Sequence, residues 1–211
     1  MPSAAKKAMR EALSPIRQLR ARRRARDRDG AHWVRVVMDE DVRTFLGNLQ
    51  PDRCDAVEVS GNRWADLGWQ SHTVLEYPDF DLTAPRAAGT FDVVICEQVL
   101  EHVDDPQRAA VTLASLCRPG GKLVVSTPFM LRIHPSPEDH WRFTPSGLRL
   151  LLERAGFTIL SLQSWGNTWC ITKNRRRWAV YRRHHRILAR WSLRNEPNSP
   201  QVVWAFAEPA S

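Results

Sequence analysis

Hydrophobic residues along this chain follow two periodicities in turn. Between residues 32 and 49 they recur every three or four positions, which predicts an amphipathic helix ended by Gly47 and Pro51. Short apolar runs then alternate with helical patterns, and this alternation predicts a parallel sheet with right-handed crossovers. The predicted strands are 56–59, 72–77, 91–96, 122–127, 157–162 and 202–206.

Two further helices have clear start signals. Asp105 and Thr144 are capping residues that each precede a proline, the residue favoured at the first helical position. The first of these helices is expected to run to about Cys117, where an Arg-Pro-Gly-Gly turn follows. Gly156 is expected to end the second.

Charge divides the chain into an acidic body and basic appendages. The whole chain carries +8, of which residues 1–30 hold +7 and residues 173–194 hold +9, so the remainder carries −8. A uniformly basic nucleic-acid groove is therefore not what the sequence shows. We expect a basic N-terminal helix or tail over 1–30, and a main domain over 31–211 with a basic helical insert at about 170–195.

The role of the basic segments stays open at this level. The first 30 residues suit a solvated helix or an arm that contacts an acidic partner. The insert mixes arginines with Trp178, Tyr181, Leu188 and Trp191, which can share one helical stripe that packs on the body. Its alternatives are RNA contact, an anionic membrane surface, or an acidic or phosphorylated small substrate.

Cysteine usage and hydropathy indicate a soluble, cytoplasmic protein. The four cysteines share no CxxC spacing, so a disulfide framework or a cysteine zinc site is not expected. No run approaches the roughly 20 apolar residues that span a bilayer. A signal-peptide apolar region is not expected either, because residues 17–28 are highly charged. The oligomeric state is not determined by these features.

Residues 91–129 carry the most specific pattern. They read FDVVICEQVLEHVDDP, then a helix, then CRPGGKLVVSTPF, and a DHWRFTPSGL segment follows. This order resembles the class I S-adenosylmethionine (SAM)-dependent methyltransferases, and most closely their small-molecule subfamily. The resemblance implies a Rossmann-like, doubly wound, mostly parallel sheet with an antiparallel C-terminal strand. It also implies SAM as cofactor.

The same resemblance assigns residues to the cofactor. The usual glycine-rich loop after the first strand is reduced here to one glycine, Gly61, where close backbone approach or positive φ is wanted. Glu76 takes the place of the ribose-binding acid, and Asp81 that of the acid at the adenine amine. The complete set that the resemblance implies is Glu58, Ser60, Gly61, Asn62, Glu76, Tyr77, Asp81, Glu97 and Gln98.

Three histidines are candidate general bases. His102 follows the strand at 91–96, and His134 and His140 lie in the loop after the next strand, so all three are expected at one edge of the sheet. Histidine titrates near neutral pH and is the usual base for deprotonating an acceptor. Asp139 could orient His140. Each histidine alone also fits a structural role.

A metal site is an alternative reading of the same segment. Some relatives hold a divalent ion with an E-x-x-E-H segment and a later histidine, and the corresponding residues are Gln98, Glu101, His102 and His140. Because Gln98 replaces the first carboxylate with a weaker amide ligand, we expect no metal.

The sequence thus favours a SAM-dependent N- or O-methyltransferase that acts on a small metabolite, such as a sugar or a secondary-metabolite scaffold. Two alternatives remain. One is a methyltransferase-like binding module without activity, which the reduced glycine loop motivates. The other is an RNA methyltransferase that uses the basic segments.

Overall fold

One mixed sheet organises the fold. The computed structural model describes residues 31–84, 88–135, 138–175, 178, 180–181 and 192–210. The strands of this described part are β1 (Asp55–Val59), β2 (Ser71–Leu75), β3 (Phe91–Glu97), β4 (Cys117–Pro128), β5 (Phe157–Trp165) and β6 (Val202–Pro209). Its α-helices are α1 (Trp33–Asn48), α2 (Pro106–Leu116), α3 (Pro145–Arg154) and α4 (Thr168–Asn174).

The strand order is β2-β1-β3-β4-β6-β5. The pairs of β1 with β2, β1 with β3 and β3 with β4 are parallel. Only β6 runs the other way, antiparallel to both β4 and β5. The predicted fold class, a doubly wound mostly parallel sheet with an antiparallel C-terminal strand, is therefore confirmed.

Apolar side chains on both faces of the sheet explain the continuous hydrophobic strands. Val94 and Cys96 face a core that α2 and α3 cover, whereas Val93 and Ile95 face a second core that α1 covers. A strand buried on both faces has no polar positions to alternate, which is why 91–96 reads as one apolar run. The α3 face predicted from the sequence is buried, at Leu148, Leu151, Leu152 and Ala155.

The predicted helix starts agree with the structure. The Asp105 carboxylate accepts a hydrogen bond from the amide of Arg108, and the Thr144 hydroxyl accepts one from the amide of Gly147. Gly156 follows α3 with φ of 89°, a conformation that glycine adopts without strain. The Arg-Pro-Gly-Gly segment does end α2, but it lies within β4, where the register with β3 shifts between Phe91 and Val93.

Some sequence predictions fall on residues outside this description. The basic tail at 1–30 and two of the four stripe residues of the insert, Leu188 and Trp191, are among them. Trp178 and Tyr181 are described, and the ring of Trp178 makes an edge contact with that of His32 at 5.3 Å. Within the described ranges, no helix is long and apolar enough to cross a membrane.

Candidate functional site

The loops that follow β1, β2 and β3 leave the sheet at one edge. Val59 is in register with Leu75 on one side and with Cys96 on the other. In the order β2-β1-β3-β4, β2 lies on one side of β1, and β3 lies on the other. The order in which the chain adds strands therefore reverses its direction across the sheet at β1 and β3, although these strands stay parallel. Ligands of open α/β sheets bind beyond the carboxyl ends of the strands at such a point.

A cavity of about 420 Å³ opens at this point. We call it the β1–β3 cavity, and its volume lies within the range of small-molecule sites. It is lined by the ends of β1 and β3, the loop that follows β1 and one helix residue: Arg35, Glu58, Val59, Ser60, Gly61, Asn62, Arg63, Ile95 and Glu97. Five of the residues predicted to bind the cofactor are in this set, namely Glu58, Ser60, Gly61, Asn62 and Glu97.

Glu58 organises the loop after β1. Its buried carboxylate accepts hydrogen bonds from the amides of Arg63 at 2.8 Å and Trp64 at 2.7 Å. The imidazole Nε2 of His72, on the neighbouring strand, lies 2.9 Å from the same carboxylate. A carboxylate that accepts several hydrogen bonds can hold a loop that lacks the usual glycines. Glu58 therefore shapes one wall of the cavity.

The positive φ in this loop belongs to a different residue from the one expected. Ser60 has φ of 56°, whereas Gly61 is not among the residues with positive φ. The Ser60 amide donates to the Leu75 carbonyl at 2.8 Å, and this bond between adjacent strand ends fixes the turn. Of the two alternatives expected for Gly61, positive φ was wrong, and close backbone approach to the cofactor stays a prediction. A Cβ atom at Gly61 would meet only a Glu58 carboxylate oxygen, at 3.7 Å.

Arg35 and Glu97 form an ion pair on the floor of the β1–β3 cavity. The Arg35 guanidinium donates to Glu97 Oε2 at 3.0 Å, and the indole of Trp64 donates to the same oxygen at 3.0 Å. Arg35 also contacts Asp39, which pairs with Arg63 at 3.0 Å. Although burial opposes the charge, the Glu97 and Asp39 carboxylates raise the pKa of Arg35. The cavity thus combines cationic and anionic side chains.

Three of the predicted cofactor residues lie beyond the lining of this cavity. Glu76 and Tyr77 follow β2 and are exposed, Tyr77 to 67%. Asp81 accepts from the amide and the hydroxyl of Thr83, and these bonds lower the pKa of its carboxyl. All three follow β2 in the chain, and the bond from the Ser60 amide to Leu75 joins the end of β2 to the loop that Glu58 holds. Their roles toward the cofactor stay predictions.

Gln98 also lies outside the lining of the cavity. Its φ is 57°, and its amide and side chain both donate to Ser126, at 2.8 Å and 3.1 Å. The side chain therefore ties the loop after β3 to β4. A direct contact of Gln98 with a cofactor stays a prediction.

Two of the three candidate histidines lie together. The rings of His102 and His134 meet edge to face with centroids 5.2 Å apart. Both Nε2 atoms face the carboxylate of Glu101, which has no exposed side-chain surface. This carboxylate raises the pKa of His134, against the effect of burial. We call Glu101, His102 and His134 the Glu-His-His cluster.

His140 lies outside this cluster. Its Nε2 atom is 3.0 Å from the exposed carboxylate of Glu138. Asp139 faces His134 instead, 3.2 Å from Nδ1, so the expected orientation of His140 by Asp139 was wrong. Arg142 pairs with Asp139 and keeps the pKa of that carboxyl well below its ordinary value.

A known protein family matches the part of the chain that contains most of this site. The family model described as "Methyltransferase domain" matches residues 39–162, more than half of the chain. The chain belongs to the class I SAM-dependent methyltransferase superfamily. The match covers β1, β3 and the loop after β1, and it ends within β5. The family predicted from residues 91–129 and the segment that follows them is therefore confirmed.

Two curated relatives of this methyltransferase-family chain share one name. It is 34% identical over 96 residues to a ubiquinone biosynthesis O-methyltransferase of Xanthomonas axonopodis pv. citri, covering 37% of this chain and 40% of that protein. It is 30% identical over 149 residues to the protein of that name from Aeromonas salmonicida, covering 63% and 56%. The chain thus spans about half the length of these relatives.

Solved structures support the fold of the family. A SAM-dependent methyltransferase from Mesorhizobium loti matches with a TM-score of 0.50 at 18% identity, covering 78% of this chain and 96% of that one. At this identity the likeness concerns the fold alone.

Sequence reasoning missed five residues of this candidate site. Arg35 and Trp64 contact Glu97, and Val59, Arg63 and Ile95 line the cavity with Arg35; none was among the expected cofactor residues. Arg35 lies 62 residues from Glu97 in sequence, so no local motif joins them. One signal was available, because the basic Arg35 and the acidic Asp39 lie four positions apart on a helix.

Proposed function

We propose that this chain binds SAM in the β1–β3 cavity and catalyses transfer of its methyl group to an oxygen atom of a small molecule. The cavity itself carries the proposal. It lies where chain direction across the sheet reverses, and both its carboxylates lie at the carboxyl ends of strands: Glu97 is the last residue of β3, and Glu58 is the last but one of β1. Nitrogen as the acceptor atom is the alternative within the same reaction class.

The charges of the cavity suit this cofactor. At neutral pH, SAM carries a sulfonium, an ammonium and a carboxylate group. Arg35 and Arg63 are cations that complement the carboxylate, and Glu97 complements the cationic groups. Within the described chain, the buried Oε1 of Glu97 has no hydrogen-bond partner. A buried acceptor in this state is costly, so a donor from a ligand would stabilise it.

When bound, SAM supplies an electrophilic methyl group that is displaced in line. The protein's contribution is then to align the acceptor atom, which supplies much of the rate. A hydroxyl acceptor must also lose its proton, and histidine is the usual base near neutral pH. Of the candidates, His134 has the better-defined position, since Asp139 lies 3.2 Å from its Nδ1 atom.

The acceptor class is inferred from two observations. The curated relatives are named as O-methyltransferases of ubiquinone biosynthesis, which favours an oxygen acceptor. In addition, the loop after β4 exposes Met130 at 40% and Ile133 at 74%, and Trp141 beyond it at 40%. Such a surface suits an apolar acceptor. Intermediates of ubiquinone biosynthesis therefore join sugars and secondary-metabolite scaffolds as acceptors to be tested.

Calorimetry with S-adenosylhomocysteine tests the cofactor site. We expect saturable binding by the purified chain and at least tenfold weaker binding by Glu97→Gln. The matched control is Glu153→Gln, which changes a half-exposed carboxylate on α3, away from the cavity. Absence of binding by the wild-type chain would remove the proposal.

Methyl transfer requires a second measurement. Incubation with methyl-labelled SAM and a panel of hydroxylated and amino acceptors should move label to at least one hydroxyl compound. Label only on amines would overturn the oxygen assignment. Tight cofactor binding without any transfer would instead support the binding module.

A further inference from the structure

We propose that Arg132 and Trp178 form an acceptor-binding subsite beside His134, and that this subsite takes a hydroxylated aromatic acid. The inference rests on the proposed function, because it names the substrate class of the methyl transfer for which His134 is the base. Trp178 lies in the basic insert, and Arg132 and His134 lie in the loop after β4. None of the three lines the β1–β3 cavity, so the subsite and the cofactor site can be tested separately.

The indole of Trp178 brings these two segments together. Its ring meets the imidazole of His134 edge to face, with centroids 5.9 Å apart. The guanidinium carbon of Arg132 lies 5.8 Å from the centroid of the same indole. The proposed base and a cation are thus neighbours of one aromatic ring, and Trp178 is 48% exposed, which leaves much of that ring accessible to a ligand. Small-molecule sites combine aromatic side chains with a few polar groups in this way.

The backbone fixes Trp178 at this place. Val180 forms an isolated antiparallel bridge with His32, and the amide of Tyr181 donates to the carbonyl oxygen of Ala31 at 2.8 Å. The rings of Trp178 and His32 also meet edge to face, with centroids 5.3 Å apart. These contacts hold the start of the insert against the residues that precede α1. The indole is therefore positioned beside the loop after β4 before a ligand binds.

Arg132 has no carboxylate partner in the described part of the chain. The loop after β4 contains two acidic side chains, and both are engaged elsewhere: Asp139 pairs with Arg142, and the Glu138 carboxylate lies 3.0 Å from His140. The exposed guanidinium of Arg132 therefore keeps its donors for a ligand. A guanidinium forms two parallel hydrogen bonds with a carboxylate and also packs on aromatic rings. An aromatic acid satisfies both properties.

The surroundings of this subsite distinguish among acceptor classes. Ile133, at 74% exposed, and Met130, at 40%, flank Arg132 in sequence, and their side chains offer no hydrogen bonds to the several hydroxyls of a sugar. An aromatic ring suits the indole, since aromatic pairs stabilise one another beyond the area they bury. One carboxylate matches the single charge of Arg132, whereas a phosphate would bring about two negative charges. A hydroxyl on the same ring would face His134.

Three small probes test this selection directly. They are para-hydroxybenzoate, phenol, which lacks the carboxylate, and the saturated analogue in which a cyclohexane ring replaces the benzene ring. We expect the wild-type chain to bind para-hydroxybenzoate at least tenfold more tightly than either other probe, measured by calorimetry with and without S-adenosylhomocysteine. Equal affinity for the three probes, or no binding of para-hydroxybenzoate, would overturn the subsite.

Two substitutions should each remove one preference. Arg132→Gln should lose the preference over phenol and keep the preference over the saturated acid, and Trp178→Leu should do the reverse. A general loss of structure would not produce this split. The matched controls are Arg154→Gln, at an exposed position of α3, and Trp169→Leu. Trp169 is 41% exposed with the Lys173 ammonium 5.5 Å from its ring, and both controls should keep both preferences.

The outcomes separate this subsite from the proposed function. Both preferences without any binding of S-adenosylhomocysteine would support the subsite and remove the cofactor site. Binding of S-adenosylhomocysteine, together with wild-type preferences in Arg132→Gln and Trp178→Leu, would overturn the subsite and leave the cofactor site in place. If either variant fails to fold by circular dichroism, Arg132→Lys or Trp178→Phe replaces it and should reduce its preference at least threefold. Unchanged preferences in those folded variants would also overturn the proposal.

Discussion

The guanidinium of Arg35 lies 3.0 Å from the Glu97 carboxylate. A residue of α1 therefore lines the cavity together with the ends of β1 and β3. Both side chains are largely buried, with exposed fractions of 21% and 7%. Their pairing places a cation against the buried Glu97 carboxylate beside the β1–β3 cavity. It also makes α1 part of the site.

Replacing Arg35 by methionine should destabilise the protein. Glu97 would keep only the Trp64 indole as a donor, and an under-compensated buried carboxylate costs about 1–3 kcal/mol. Chemical denaturation measures the loss, and S-adenosylhomocysteine affinity should fall as well. Arg35→Lys keeps the charge and should recover part of both. Full stability of Arg35→Met would show that the pair contributes nothing.

The sequence revealed most of the scaffold for a physical reason. Strand β3 and helices α2 and α3 have local signals, namely a run buried on both faces and a capping residue before proline. The contacts that build the site are not local. Glu58 with His72 and Glu101 with His134 join residues on different elements, so only the folded register brings them together.

The residue with positive φ in the loop after β1 could not be predicted from the sequence either. The single glycine of the reduced loop drew the expectation of close backbone approach or positive φ, because glycine has no Cβ atom and adopts positive φ without cost. The structure assigns that conformation to Ser60, at 56°, and the bond from its amide to Leu75 helps to hold it. The spacing of the motif identified the loop but not the residue that turns it.

Substituting Gly61 by alanine should weaken cofactor binding without changing the stability of the fold. Its φ is not positive, and the new Cβ would meet only Glu58 Oε2 at 3.7 Å, so the melting temperature should stay the same. Gly61 lines the cavity, however, and the added methyl group should weaken S-adenosylhomocysteine binding about tenfold, or 1.4 kcal/mol. Gly47→Ala, near the end of α1, is the control and should leave binding unchanged. A lower melting temperature of Gly61→Ala would contradict this prediction.

Removal of the Glu76 carboxylate tests the ribose role. Glu76 is exposed just after β2, so Glu76→Ala should fold normally. Its affinity for S-adenosylhomocysteine should fall about tenfold if the carboxylate accepts from the ribose hydroxyls. Asp79→Ala removes an exposed acid three residues further on and is the control. Equal affinities in the two variants would remove Glu76 from the cofactor site.

The two loop histidines should differ in their effect on turnover. His134 contacts Asp139 and faces Glu101, whereas His140 contacts the exposed Glu138. We therefore expect His134→Ala to lower kcat at least tenfold with cofactor binding nearly unchanged. We expect His140→Ala to lower turnover more than cofactor binding, but by a smaller factor than His134→Ala. Steady-state kinetics with an accepted substrate, together with calorimetry, decide the order.

Acid stability should depend on Arg118, at the opposite edge of the sheet. Arg118 pairs with Asp55 at 2.9 Å and with Asp92 at 2.7 Å, which joins the starts of β1, β3 and β4. Hydrogen bonds from Ser71 and then Arg118 lower the pKa of Asp55 below its ordinary value. A carboxyl with a lowered pKa stabilises the fold above about pH 4 and loses that contribution as the pH falls through its folded-state pKa.

Arg118→Met should therefore move the midpoint of acid unfolding to higher pH, because Asp55 then protonates more readily in the folded protein. Ser71 still donates to Asp55 at 2.6 Å, so part of the effect will remain. Circular dichroism between pH 2 and about pH 6 follows the transition. The control is Arg149→Met, which breaks an exposed pair within α3 at 3.5 Å. If both variants unfold at the wild-type pH, the Arg118 pairs are as weak as most surface ion pairs.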